Sequence, residues 1–134
     1  MMNLLIDADA LVALSKIDDS NHARALKIAK KIKSASLFAS PLAIPEAASV
    51  ISHRVSQKMA SAFLKEAKKK KITVIPLSSE LEKLADEIFI AQNKKGTSWP
   101  DCLNLAIAQK YGIETIFSFD KIYPRNNLQI FSHL

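Results

Sequence analysis

Short apolar runs alternate along this chain with longer stretches in which apolar residues recur every three or four positions. Asn3-Leu4-Leu5-Ile6, ending at Asp7, reads as a buried strand. Asp9 is placed to cap a short helix through Leu14. Between Ser20 and Ser34, Ala23, Leu26, Ala29 and Ile32 repeat at helical spacing, and Lys27, Lys30, Lys31 and Lys33 fall largely outside that stripe. Leu37-Phe38-Ala39-Ser40 is a second strand. A helix follows from about Ala43 to Arg54, with Pro45 tolerable only near its start. The next helix, about Ser56 to Lys70, ends in the run Lys68-Lys69-Lys70-Lys71, where cations suit a helix C-terminus. Ile72-Thr73-Val74-Ile75 is strand-like and stopped by Pro76. Ser79 with Glu82 forms a capping box that opens a helix to about Gln92. Lys94-Lys95-Gly96-Thr97 is a loop, and Ser98 starts a helix closed by Gly112. Thr115-Ile116-Phe117-Ser118-Phe119 and Leu128-Gln129-Ile130-Phe131 complete the strands.

Strands and helices in alternation predict an α/β fold with a parallel sheet covered on both faces. With 134 residues and no linker, repeat or low-complexity tract, a single domain over 1–134 is expected. Two glycines, Gly96 and Gly112, are too few to write a dinucleotide fingerprint or a phosphate-cradling loop. The lone Cys102 excludes a disulfide framework and a cysteine-based zinc site, and His22, His53 and His133 have no ligand spacing. A net charge of +6 favours polyanionic partners, nucleic acid above all. No signal peptide is legible at Met1-Met2-Asn3, and no apolar run approaches the ~20 residues of a membrane span, so a cytoplasmic protein is expected.

Against that basic background the acids are placed unevenly. Ligands bind such sheets beyond the carboxyl ends of the strands. Asp7 ends the first strand and Asp120 the fourth, and Glu46 lies in the first turn after the second. These three therefore share one edge. Asp101, in the first turn of a helix, joins them if that helix starts on the same edge. Each acid also has a structural explanation: a capping box for Ser98 and Asp101, the helix dipole for Glu46, an N-cap for Asp9, a turn for Asp120. Asp7 is the exception, because the end of an apolar strand is a poor place for a charge without a purpose. Clustered carboxylates raise one another's pKa. Their charge calls for a hard cation with oxygen ligands, Mg²⁺ or Mn²⁺. Two such ions about 4 Å apart could activate a water and stabilise the leaving oxygen of a phosphodiester. Lys121 and Arg125, following Asp120, are candidates for holding phosphate.

Four stretches carry a family resemblance: Leu5-Ile6-Asp7-Ala8-Asp9-Ala10-Leu11-Val12-Ala13-Leu14, Pro45-Glu46-Ala47-Ala48-Ser49-Val50, Trp99-Pro100-Asp101-Cys102-Leu103-Asn104-Leu105-Ala106-Ile107-Ala108, and Ile116-Phe117-Ser118-Phe119-Asp120-Lys121-Ile122-Tyr123. In this order, and over nearly the whole chain, they resemble the PIN-domain family and are similar to its VapC-like toxin ribonucleases. The resemblance implies a three-layer α/β/α sandwich with a central parallel sheet. It also implies endoribonuclease activity on an RNA substrate with Mg²⁺ or Mn²⁺ at Asp7, Glu46, Asp101 and Asp120, and Ser118 close to the metals. A homodimer held inactive by a protein antitoxin is implied as well. Asp9 stands where the family more often has an uncharged polar residue, as a further ligand or a helix cap. Trp99 is large for its place and is a candidate substrate or partner contact.

Three other readings compete. Asp7-Ala8-Asp9 resembles the D-x-D of HAD-type phosphatases, with nucleophile and general acid, although Ala10 replaces a usual glycine and no later motif follows. A signalling receiver needs an aspartate at the end of the third strand, where Ile75-Pro76 stands instead. A PIN-like module could also bind RNA or a partner without cutting.

Overall fold

The computed structural model describes residues 2–93 and 96–131; Lys94 and Lys95 of the expected loop, and His133, lie outside the described residues. The elements run β1 (Asn3–Ile6), α1 (Ala8–Ser15), α2 (His22–Lys31), β2 (Ser36–Ala39), α3 (Ala43–Arg54), α4 (Gln57–Lys69), β3 (Ile72–Val74), α5 (Ser79–Ile90), α6 (Trp99–Tyr111), β4 (Thr115–Phe117), α7 (Ile122–Arg125) and β5 (Gln129–Ile130). All five strands are parallel, in the order β3-β2-β1-β4-β5.

The alternation of side chains along each strand sorts the core into two halves. Leu4 and Ile6 of β1 and Phe117 of β4 face a cluster supplied by α1, α2, α3 and α4. Leu5 and Ile116 face the opposite cluster, supplied by α5, α6 and α7. The central strands β1 and β4 are thus buried on both sides, which explains why they read as unbroken apolar runs. The result is a three-layer α/β/α sandwich.

The order places β1 at the centre, with the chain moving outward through β2 and β3 and then crossing to the other side for β4 and β5. The gap between the carboxyl ends of β1 and β4 is therefore a topological switch point, the position where open α/β sheets leave a crevice. Leu5↔Ile116 and Ile6↔Phe117 set the register, so Asp7 and Ser118 leave the sheet side by side.

Local chemistry accounts for most helix ends, with two corrections. Asp7, not Asp9, is the N-cap of α1, and its carboxylate accepts a hydrogen bond from the Ala8 amide at 2.8 Å. Ser78, not Ser79, caps α5, its hydroxyl accepting from the Leu81 amide at 3.1 Å, so the expected box with Glu82 does not form. Ser56 and Ser98 cap α4 and α6 in the same way. Pro45 lies in the first turn of α3, where its missing N–H costs no helical bond. The short α7 was not legible as a helix.

Gly112 ends α6 with φ +66°, and nothing lies within 4 Å of where its Cβ would be. The cost of a side chain there is purely conformational. Gly112→Ala is expected to lower stability by about 1 kcal/mol and Gly112→Asn by less, because asparagine tolerates left-handed backbone. Urea denaturation of the three proteins measures this. Equal midpoints for all three would mean the cap relaxes out of its left-handed conformation.

Candidate active site

Asp7 is the centre of the crevice. Its amide continues the sheet ladder by donating to the Phe117 carbonyl at 3.0 Å, which fixes where its side chain can go. That side chain is only 8% exposed. Oδ1 accepts from the Ala8 amide at 2.8 Å and, at a long 3.4 Å, from Asn104 Nδ2. Oδ2 accepts from the Ser118 hydroxyl at 2.9 Å and the Tyr123 hydroxyl at 3.0 Å. A carboxylate has about four acceptor positions, and here each has a donor.

Two of those donors are shared. The Tyr123 hydroxyl also lies 3.0 Å from Asp101 Oδ1, and the Ser118 hydroxyl lies 3.3 Å from Asp9 Oδ2. Each hydroxyl has one proton and two carboxylates within reach, so it serves only one at a time. Asp9 Oδ2 is held in addition by the Phe119 amide at 2.9 Å, while its Oδ1 is buried without a partner. Asp9 therefore ties the first turn of α1 to the loop after β4, where the sequence predicts a helix cap or a further ligand.

The electrostatics follow from this crowding. Burial pushes the Asp7 carboxyl up, the hydrogen bonds from Ser118, Ala8 and Tyr123 oppose that, and the Asp101 charge adds to it. Asp9 is pushed up to about 7, first by burial and then by the charge of Asp7, against the bonds from Phe119 and Ser118. Glu46 is raised by burial and then by Asp7 and Asp101, which places its carboxyl within electrostatic reach of both. Burial and the Asp101 charge raise the Cys102 thiol, so it stays protonated and behaves as a core residue.

The structure thus gathers Asp7, Asp9, Glu46, Asp101 and Ser118 at one place. Asp120 shares the edge, but its carboxylate is turned back on its own loop, where Oδ1 accepts from the Ile122 amide at 3.1 Å and closes the turn into α7. Lys121, just before α7, and Arg125, at its end, are exposed and outside any ion pair among the described residues. Arg125 borders an open basin of about 570 Å³ with Gln92, Thr97 and Asn126. On the other side, Asp9, Glu46, Val50 and Arg54 line a depression of about 230 Å³ that gives solvent a way to the acids. Trp99 points elsewhere: its indole N–H donates to Asp86 Oδ1 at 2.8 Å and ties α6 to α5.

Among the described residues, no three His, Cys, Asp or Glu side chains stand ready together as a metal cage. The donor chemistry nonetheless fits a hard divalent cation. Every candidate ligand is a carboxylate oxygen, one of them (Asp9 Oδ1) is buried without a partner, and like charges accumulate with no lysine or arginine among the described residues in an ion pair with them. The long Asn104 contact is the weakest hold on Asp7.

Two residues of the site were not singled out by sequence reasoning. Asn104 is a polar residue in the otherwise apolar buried stretch from Cys102 to Ala108, one helical turn after Asp101. Tyr123 follows Asp120 by three residues and is fully buried. The lone polar residue within an apolar run was the available signal for Asn104; Tyr123 offered none beyond its proximity to Asp120.

The raised carboxyls predict an inverted pH dependence for the metal-free protein. A carboxyl whose folded pKa exceeds its unfolded value costs stability above that folded pKa, and the cost is relieved as pH falls through it. For Asp9 the relief runs downward from about pH 7, with Asp7 and Glu46 contributing in the same direction. In EDTA the melting temperature should therefore rise between pH 8 and pH 5. Asp9→Asn should raise it by about 5 °C at pH 8 and by much less at pH 5. A wild-type protein whose stability peaks at pH 8 would show that the carboxylates are net stabilised where they are.

Comparison with known proteins agrees with this architecture. No curated protein matches the sequence. Among solved structures, the Mycobacterium tuberculosis toxin VapC20, described as cleaving the sarcin-ricin loop, superposes with a TM-score of 0.85 at 19% identity, covering 93% of this chain and 95% of that one. FitAcB from Neisseria gonorrhoeae gives a TM-score of 0.70 at 12% identity, over 98% and 99% of the two chains. VapBC2 from Rickettsia felis, bound to a DNA fragment from its promoter, gives 0.65 at 15% identity, over 96% and 97%. At these identities the likeness is one of fold. The sequence itself matches the family model of the PIN domain over residues 4–127, and the chain therefore belongs to the PIN domain family.

Proposed function

We propose that this chain is a metal-dependent endoribonuclease, the toxin of a toxin–antitoxin pair, using Mg²⁺ or Mn²⁺. The observation that carries the reading is the convergence of Asp7, Glu46 and Asp101, from three separate elements of a PIN domain, close enough that the Asp101 charge raises Asp7 and the charges of Asp7 and Asp101 raise Glu46. Like charges brought together at a switch point, with no ion pair to a lysine or arginine among the described residues, suit a site that is completed by a metal.

Asp7, Glu46 and Asp101 would hold the metal, with Asp120 joining them if it leaves its turn at Ile122. When bound, the ion would supply an activated water and charge stabilisation for the leaving oxygen of a phosphodiester. Ser118 would keep Asp7 oriented, and Asp9 would hold the loop that carries Ser118. Lys121 and Arg125 would bind backbone phosphates of an RNA substrate flanking the acids. The toxin role draws on the likeness to VapC20, a toxin that cleaves the sarcin-ricin loop, and a protein antitoxin, a homodimeric state and a cytoplasmic location belong to the same reading. No helix among the described residues is long and apolar enough to cross a membrane. The phosphatase reading of Asp7-Ala8-Asp9 loses support, because the would-be general acid Asp9 has Oδ2 committed to Ser118 and Phe119.

The direct test is incubation with structured RNA in Mn²⁺ or Mg²⁺, with EDTA as control. Metal-dependent cleavage is expected, and Asp7→Asn should lower kcat at least about 100-fold. Cleavage that persists in EDTA would remove the metal from the mechanism, and turnover of a phosphomonoester without RNA cleavage would return the phosphatase reading. For the flanking cations, Lys121→Ala and Arg125→Ala should each weaken RNA binding and reduce its salt slope by up to about one unit. Unchanged slopes in both would make them ordinary surface charges.

A further inference from the structure

Tyr123 is a fully buried phenol whose hydroxyl reaches two of the proposed ligands. Its ring belongs to the apolar cluster that includes Leu103, Ile116 and Leu128, so the phenol cannot swing away. Its own carbonyl accepts from the amides of Asn126 and Leu128 at 2.9 and 3.0 Å, which pins the backbone of α7 beneath it. Asn104 Nδ2 donates to the phenol oxygen at 2.9 Å. With that lone pair engaged, the hydroxyl proton is aimed at the carboxylates, Asp7 Oδ2 on one side and Asp101 Oδ1 on the other, each at 3.0 Å. Asp7 comes from the centre of the sheet and Asp101 from α6; besides the long Asn104 contact to Asp7, the phenol is the link between them among the described residues.

We propose that Tyr123 is a positioning residue: with one hydroxyl in reach of Asp7 and Asp101, donating to either in turn, it sets the separation of two carboxylates that would otherwise repel, and so holds them ready for a divalent cation. This deepens the metal-nuclease reading and rests on it. Phenylalanine would fill the same apolar space but leave the two acids without a common donor. Partners that orient ligating groups are generally worth 10- to 100-fold in metal affinity.

The test is Tyr123→Phe, studied without RNA. Calorimetric titration of the metal-free protein with Mn²⁺ should give a Kd about 10-fold weaker than wild type. In cleavage assays the variant should need correspondingly more Mn²⁺, with kcat at saturating metal recovering to within a few-fold. A residue that only packs would change melting in EDTA and leave the Mn²⁺ Kd alone. A Kd within twofold of wild type would overturn the proposal while leaving the nuclease reading intact. A tighter Kd would overturn it too, since the phenol would then be competing with the metal. If wild type itself binds no Mn²⁺, the nuclease reading fails and this inference with it. Should the variant fail to fold by circular dichroism, wild type provides the second measurement. The side-chain amide resonances of Asn104 should shift during Mg²⁺ titration with the calorimetric midpoint. Resonances that stay still at saturation would overturn the proposal.

Discussion

A carboxylate buried at the end of the central strand is the constraint around which this molecule is arranged. Removing an ionised group from water costs several kcal/mol unless its oxygens are met by donors. For Asp7 those donors come from the start of α1, the middle of α6, the loop after β4, and α7. Three of the four lie about a hundred residues away in the chain, so satisfying one side chain requires both helical layers and the β1–β4 pairing to be in place. The same requirement that holds the fold together also assembles the acids.

The arrangement is satisfied but tense. Asp7 has its donors, yet two of them are hydroxyls with a second claimant, and Asp9 keeps one buried oxygen without any. Such a network rests at lower free energy when one of its members is protonated, or when a cation takes over the shared role. A protein of net charge +6 thus concentrates negative charge in one crevice and leaves its basic residues on the surface around it. A polyanion would be drawn to that surface and would meet its own repulsion only at the crevice, which is where a cation would be needed.

What was legible in the sequence was local. Buried strands announce themselves as apolar runs, and the edge holding Asp7, Glu46 and Asp120 followed from strand ends and first turns alone. Residue-scale competition was not legible: Ser78 and Ser79 are equally good caps by type, and the choice depends on which one the preceding loop leaves in extended conformation. Asp9 reads as a cap by residue type alone; the structure gives that task to Asp7, two residues earlier, alongside its place among the acids. Asp120 was placed on the right edge, but nothing in its neighbours announced that its carboxylate would close a turn onto Ile122. Asn104 and Tyr123 escaped because their meaning lies in contacts with Asp7 spanning 97 and 116 positions, which no periodicity encodes.

Those separations have a consequence for how the molecule is made. A chain that emerges from the ribosome N-terminus first presents β1 and Asp7 early, with the Ala8 amide alone of the four donors at hand. Ser118 and Tyr123 come into existence only after β4, the strand that seats them, has itself been synthesised. Until then the pair Asp7 and Asp101 has no common hydroxyl, and the loop that Asp9 fastens is absent. The crevice is thus completed late, and a nascent or truncated chain lacking its final fifth would retain several of the acids but neither Ser118 nor Tyr123 to hold them together.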